Sequence, residues 1–264
     1  MEIASRWLVL VLTVVVGSQA FGRVVTVSDK QDLLDAVSAS VDDEGRLRED
    51  LEVVFAADCK AMTVDPEEFP SVSEQGLLDG NGHVFRLDAD ACPYGTVTIG
   101  REPGGEAAKV RPFAFRGCGQ GSGFKNLIFI GLGCVDFVCP MDTMVKDCDF
   151  VRCGAVSVSL CEQTGGAIRG CAVVDGCGFD GCQARAGGAL SDCGYARESV
   201  FLNCRAYDAG GAIVGATDVS RCEFHGCSCV SAAANDGFGG AIYGGVTSRR
   251  VCSWTVPPRR GARS

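Results

Sequence analysis

Histidine is almost missing from this chain: His83 and His225 are the only two among 264 residues. The 17 cysteines include no Cys-x-x-Cys pair. Together these features argue against a structural zinc module of the cysteine/histidine kind, and no metal site or cofactor is expected. There is no Asn-x-Ser/Thr acceptor, so N-glycosylation is not expected either. Gly119-Gln120-Gly121-Ser122-Gly123 lacks the Lys-Ser/Thr pair that a phosphate loop requires. No apolar run approaches the roughly 20 residues that cross a bilayer, so the mature chain is expected to have no transmembrane span.

The chain begins with Met1 and Arg6, continues with an apolar run from Trp7 to Val16, and then has Ser18-Gln19-Ala20. A positive start, a ten-residue apolar stretch and small residues before a cut after Ala20 form a signal-peptide layout. Residues 1–20 are therefore read as a signal peptide, and the protein as secreted or held at the cell surface. All 17 cysteines follow that segment, which suits a compartment where disulfides persist, though an odd number leaves at least one thiol over. The net charge is −9, and Arg249, Arg250, Arg259, Arg260 and Arg263 place +5 in the last sixteen residues, leaving −14 on the rest. So acidic a body disfavours nucleic acid as a partner.

A repeat organises the middle of the chain. Gly-Gly-Ala-apolar tetrads begin at Gly165-Gly166, Gly187-Gly188, Gly210-Gly211 and Gly239-Gly240, at spacings of 22, 23 and 29 residues. Fourteen residues after the first glycine of the first three tetrads come Phe179, Phe201 and Phe224, each followed three residues later by Cys182, Cys204 and Cys227. Phe150 with Cys153 extends the series upstream, Phe129 with Leu132 is a candidate beginning, and Cys252-Ser253-Trp254 reads as the same element with tryptophan in the aromatic place. A period near 22 residues is too short for a helix pair and lacks leucine-rich spacing. Short apolar stretches such as Leu51–Phe55, Thr96–Ile99, Leu127–Ile130 and Ala155–Val158 read as strands.

The expected fold is all-β: a right-handed parallel β-helix solenoid of about nine or ten coils, its phenylalanines and cysteines stacked in structural ladders and its Gly-Gly pairs at tight corners. Asp29–Ser40 carries Leu33, Leu34, Val37 and Val41 at helical spacing and is expected to form a short N-terminal capping helix with Ser28 as N-cap. Glu102–Lys109 and the stretch around Ser231–Gly237 read as loops. The domain division is a signal peptide at 1–20, an N-terminal strand and capping helix at 21–50, the β-helix at 51–254 and a basic tail at 255–264.

In Val24–Val41 and the LLDGNG turn, the chain resembles the cap and first coils of the pectate-lyase-like superfamily. Its GGA[I/L] and Phe-x-x-Cys elements are similar to the GGA[I/L/V] and Phe-x-x-Asn repeats of chlamydial polymorphic membrane proteins, with cysteine in the asparagine place. The second resemblance implies a surface adhesin. The first also includes polysaccharide lyases, which use aspartate-bound calcium and an arginine base, and hydrolases driven by paired carboxylates. The nearest equivalents here are Asp147, Asp149 and Arg152, with Asp142, Asp175 and Asp180 nearby. The Asn-Thr-Asp, Gly-His-Gly and Arg-Ile-Lys elements of polygalacturonases are missing. The position before each ladder phenylalanine reads Asp149, Gly178, Val200 and Glu223, so no acidic column persists. His225 is expected to point outward beside Glu223, two coils from Asp180 and too far away for a dyad.

One cysteine column is expected at Cys148, Cys177, Cys222 and Cys252, interrupted by Ser199, and another at Cys153, Cys182, Cys204 and Cys227. Both are read as core filling, with some members cross-linked. The expected function is non-catalytic binding of an extracellular polysaccharide or surface protein along the lateral face. The alternative is a calcium-dependent polysaccharide lyase or a glycoside hydrolase.

Overall fold

The computed structural model describes residues 22–43, 47–59, 62–64, 68, 77–80, 82–90, 95–98, 107–110, 113–117, 123–137, 142–154, 164–229, 240–247 and 252–254. The signal peptide, the basic tail, Gly239, the Ala155–Val158 strand and the loop around Ser231–Gly237 lie outside the described residues.

Nine strands form one parallel sheet in chain order: Arg23–Val27, Leu51–Phe55, Phe85–Asp88, Leu127–Ile130, Asp149–Val151, Gly178–Asp180, Val200–Leu202, Glu223–His225 and Cys252–Trp254. A second sheet of twelve strands and a third of three (Gln183–Ala186, Arg205–Ala209, Ser228–Cys229) are likewise parallel. This all-β arrangement, with each strand laid on its counterpart from the next repeat, is compatible with a parallel β-solenoid. Among the named strands, one pair is antiparallel, Gly95–Thr98 with Ala107–Val110. The second of these strands occupies part of the segment read from sequence as the Glu102–Lys109 loop.

Alternation of side chains decides which face of each strand is buried. Leu51, Val53 and Phe55 are fully buried while Glu52 and Val54 are only partly so, the period-2 pattern of a one-sided strand. Register then stacks like on like. Phe129 pairs with Phe150, Phe150 with Phe179, Phe179 with Phe201 and Phe201 with Phe224. The ring centroids stand 4.9, 5.2, 4.8 and 4.8 Å apart, and the interplanar angle closes from 20° to 5° along the column. Val25, Val53 and Leu87 hold the same register position upstream. Downstream, Phe224 pairs with Ser253, and Trp254 stands opposite His225. The tryptophan is therefore one residue out of the aromatic position that its sequence context suggests, and Cys252 is likewise opposite Glu223 rather than Cys222.

The two glycines of the second tetrad do different work. Gly187 has φ +62°, a left-handed conformation costly for other residues. Gly188 is pressed against the next repeat, so that an added Cβ would fall 2.2 Å from the carbonyl oxygen of Gly211.

The helix spans Lys30–Ser38 and is capped by Asp29 rather than Ser28. Asp29 accepts from the Asp32 amide at 3.0 Å, and the Asp32 carboxylate reaches back to the Ser28 amide at 2.9 Å. The helix buries Leu33, Ala36 and Val37 in the same core as the strands.

Because Phe179 is fully buried with a ring on each side, Phe179→Ala should lower unfolding stability by about 3–5 kcal/mol. Urea titration measures this, and a loss below about 1 kcal/mol would show that the ring is not packed in the column.

Candidate functional site

Five stacked strand segments form one lateral strip: Gly123–Lys125, Met144–Lys146, Val173–Asp175, Tyr195–Arg197 and the end of Ile213–Ser220. Phe124, Val145, Val174, Ala196 and Val219 point inward and are fully buried. The alternate positions form two outer columns, Gly123, Met144, Val173, Tyr195 and Asp218 in one and Lys125, Lys146, Asp175, Arg197 and Ser220 in the other. Tyr195 is 41% exposed, unusual for a large ring, and the Arg197 guanidinium carbon lies 4.6 Å from its centroid. The stack continues onto Leu77–Asp79, where Asp79 is the register partner of Lys125, so the two columns carry three cations and three carboxylates. Sequence reasoning missed this strip because its outer residues do not repeat.

Arginines elsewhere on the surface have a different role. Arg169 pairs with Asp136, Arg185 with Asp208 and Arg221 with Glu198, each joining one repeat to another. Arg152 belongs to this class. Its Nε donates to Asp90 Oδ2 at 3.0 Å and its Nη2 to the same oxygen. The Asp90 carboxylate pushes the guanidinium pKa further up, opposite to what a base requires.

Asp147 and Arg152 both sit in left-handed turns, with φ 52° and 51°, at opposite ends of the Asp149–Val151 strand. Asp149 lies on the outer face of the first sheet, in register between Ile128 and Gly178. One repeat thus holds all three, but on two corners and a strand. Asp142 also occupies a left-handed turn, Asp175 belongs to the lateral strip, and Asp180 accepts from the Asn203 side chain at 3.2 Å. His225 lies 3.4 Å from Glu223, and His83 lies 3.4 Å from Asp50. Among the described residues no group of three or more histidine, cysteine or acidic side chains is placed to hold a metal ion, and no helix is long and apolar enough to cross a membrane.

The interior carries thiol columns. Cys148, Cys177 and Cys222 follow the turn residues Asp147, Gly176 and Arg221, all at positive φ. Each thiol donates to the carbonyl two residues earlier, at 3.2, 3.3 and 3.4 Å. Ser199 does the same with its hydroxyl at 2.6 Å, so the apparent interruption is chemically continuous. The second column repeats the device: Cys153, Cys182, Cys204 and Cys227 donate to the carbonyls of Phe129, Phe150, Phe179 and Phe201 in a neighbouring repeat, at 3.6, 3.5, 3.7 and 3.4 Å. Cys171 and Cys193 form a third column that sequence reasoning overlooked, although each falls six residues after the first glycine of its tetrad. The cross-linking expected from sequence is not seen, for no disulfide joins described residues. The thiols are instead used as small buried donors.

Burial raises the thiol pKa of Cys148, Cys177, Cys182, Cys193 and Cys204, and lifts those of Cys171 and Cys222 to about 11. The unfolded chain ionises near pH 9, whereas the folded chain holds these groups neutral, so their stabilisation is complete below pH 9 and is lost as pH rises toward 11. Reduced protein should therefore lose denaturant resistance steeply over that interval. Cys171→Ala should remove about 2 kcal/mol of the loss, and an unchanged slope in urea titrations at pH 8, 9.5 and 11 would contradict the buried-thiol assignment. No protein-family model, curated protein or solved structure matches this chain, so its function rests on this geometry.

Proposed function

We propose that the protein is a secreted or cell-surface right-handed parallel β-helix of about nine or ten coils, its first coil capped by the Lys30–Ser38 helix. It binds an extracellular carbohydrate along its lateral face without cleaving it. The signal-peptide layout supports the location, and the adhesin-like repeats support a binding role. The observation that carries the reading is the exposed Tyr195 ring backed by Arg197, with Lys146 and Asp175 in the same outer columns. A half-exposed aromatic face offers an apolar platform for a sugar ring, and the surrounding charges offer hydrogen-bond partners to its hydroxyls and carboxylates.

Polygalacturonate and alginate, offered with and without calcium, test this by calorimetry and by release of unsaturated products. Binding without cleavage is expected, weakened about tenfold, or about 1.4 kcal/mol, by Tyr195→Ala or Arg197→Ala and unchanged by Asp147→Ala/Asp149→Ala. Calcium-dependent cleavage lost in the double aspartate variant would instead establish the lyase alternative. Binding of neither polymer, or binding indifferent to Tyr195 and Arg197, would remove the lateral strip as the site.

A further inference from the structure

The second thiol column ends differently from the way it begins. Its members lie in register through the backbone bonds Gln183 N–H to Cys153 O, Arg205 N–H to Cys182 O and Ser228 N–H to Cys204 O, at 3.0, 2.9 and 3.0 Å. Equivalent residues on adjacent parallel strands stand about 4.8 Å apart, inside the Cα separation that a disulfide bridges. Cys153, Cys182 and Cys204 are shut away from solvent, while Cys227 is only partly buried. The column thus places one partly exposed thiol directly over a buried one.

We propose that Cys204 and Cys227 form a thiol–disulfide exchange site, with Cys227 as the attacking thiol, Cys204 as the resolving thiol and a low-molecular-weight disulfide as the oxidant. The neighbouring Cys204 thiol holds the Cys227 pKa below the ordinary value, whereas burial raises those of Cys182 and Cys204. The Cys227 thiolate attacks one sulfur of the oxidant RSSR, forming a Cys227–SR mixed disulfide. The RS⁻ that leaves takes up the proton Cys227 has lost. Cys204 then loses its proton and attacks the Cys227 sulfur, breaking the mixed disulfide and releasing a second RSH. Two protein thiols and one RSSR give one Cys204–Cys227 disulfide and two RSH. The pair is independent of the carbohydrate strip, so either assignment can fail alone.

The test is to treat reduced full-length protein with oxidised glutathione, quench with acid and map the peptides by mass spectrometry. The wild type is expected to yield a Cys204–Cys227 linked peptide with the loss of two hydrogens and only a transient glutathione adduct. Cys204→Ala, shown to be folded by its β-sheet circular dichroism, should accumulate a lasting adduct on Cys227. The wild-type map decides the matter if that variant does not fold. Linkage of Cys227 to another cysteine would overturn the proposal. So would a wild-type adduct on Cys227 that does not resolve, or a Cys227 that remains unmodified.

Discussion

Everything in this molecule depends on parallel strands from successive repeats pairing in register, because that pairing sets each residue beside its own counterpart. Phenylalanine meets phenylalanine at 4.8–5.2 Å over most of the column, near the spacing of the strands themselves. Thiol meets thiol in the same way, each donating to the carbonyl of a strand residue. The constraint also explains the second glycine of the first three tetrads, since a side chain at Gly166, Gly188 or Gly211 would strike backbone of the neighbouring repeat. A shift of one residue would exchange the buried and outer faces of a strand.

The interior was largely legible because this constraint writes itself into the sequence as a period. Phe150, Phe179, Phe201 and Phe224, and the four cysteines that follow them, fall where spacing places them. Upstream the period fades for a physical reason. The ladder position passes from Leu87 to Phe129 across an antiparallel hairpin, and valine and leucine replace the ring before that. The downstream end misled for a similar reason: Trp254 resembles a ladder residue by size, but pairing sets Ser253 opposite Phe224. Cys171 and Cys193 were readable by the same arithmetic and were overlooked because they flank no phenylalanine.

The outer surface obeys no such rule, and there sequence was a poor guide. The Arg152–Asp90 pair joins residues 62 positions apart, which spacing does not disclose, and it turns a candidate base into a tie between repeats. Tyr195 and Arg197 occupy positions held in the preceding repeat by Val173 and Asp175, so nothing periodic marks them. A repeating interior supplies a rigid, flat support on which outer residues vary without cost to the fold. The carbohydrate site proposed above lies where the repeat is silent, on the lateral strip.

Excision of one repeat tests the in-register account most directly. Deleting Gln183–Cys204 removes 22 residues and joins Cys182 to Arg205, the register partner of Gln183. Deleting Gln183–Cys193 removes 11 and leaves every later strand out of phase. The account predicts that the first variant keeps its β-sheet circular dichroism and a cooperative urea transition while the second does not fold. Equal behaviour of the two, whether both fold or both fail, would contradict it.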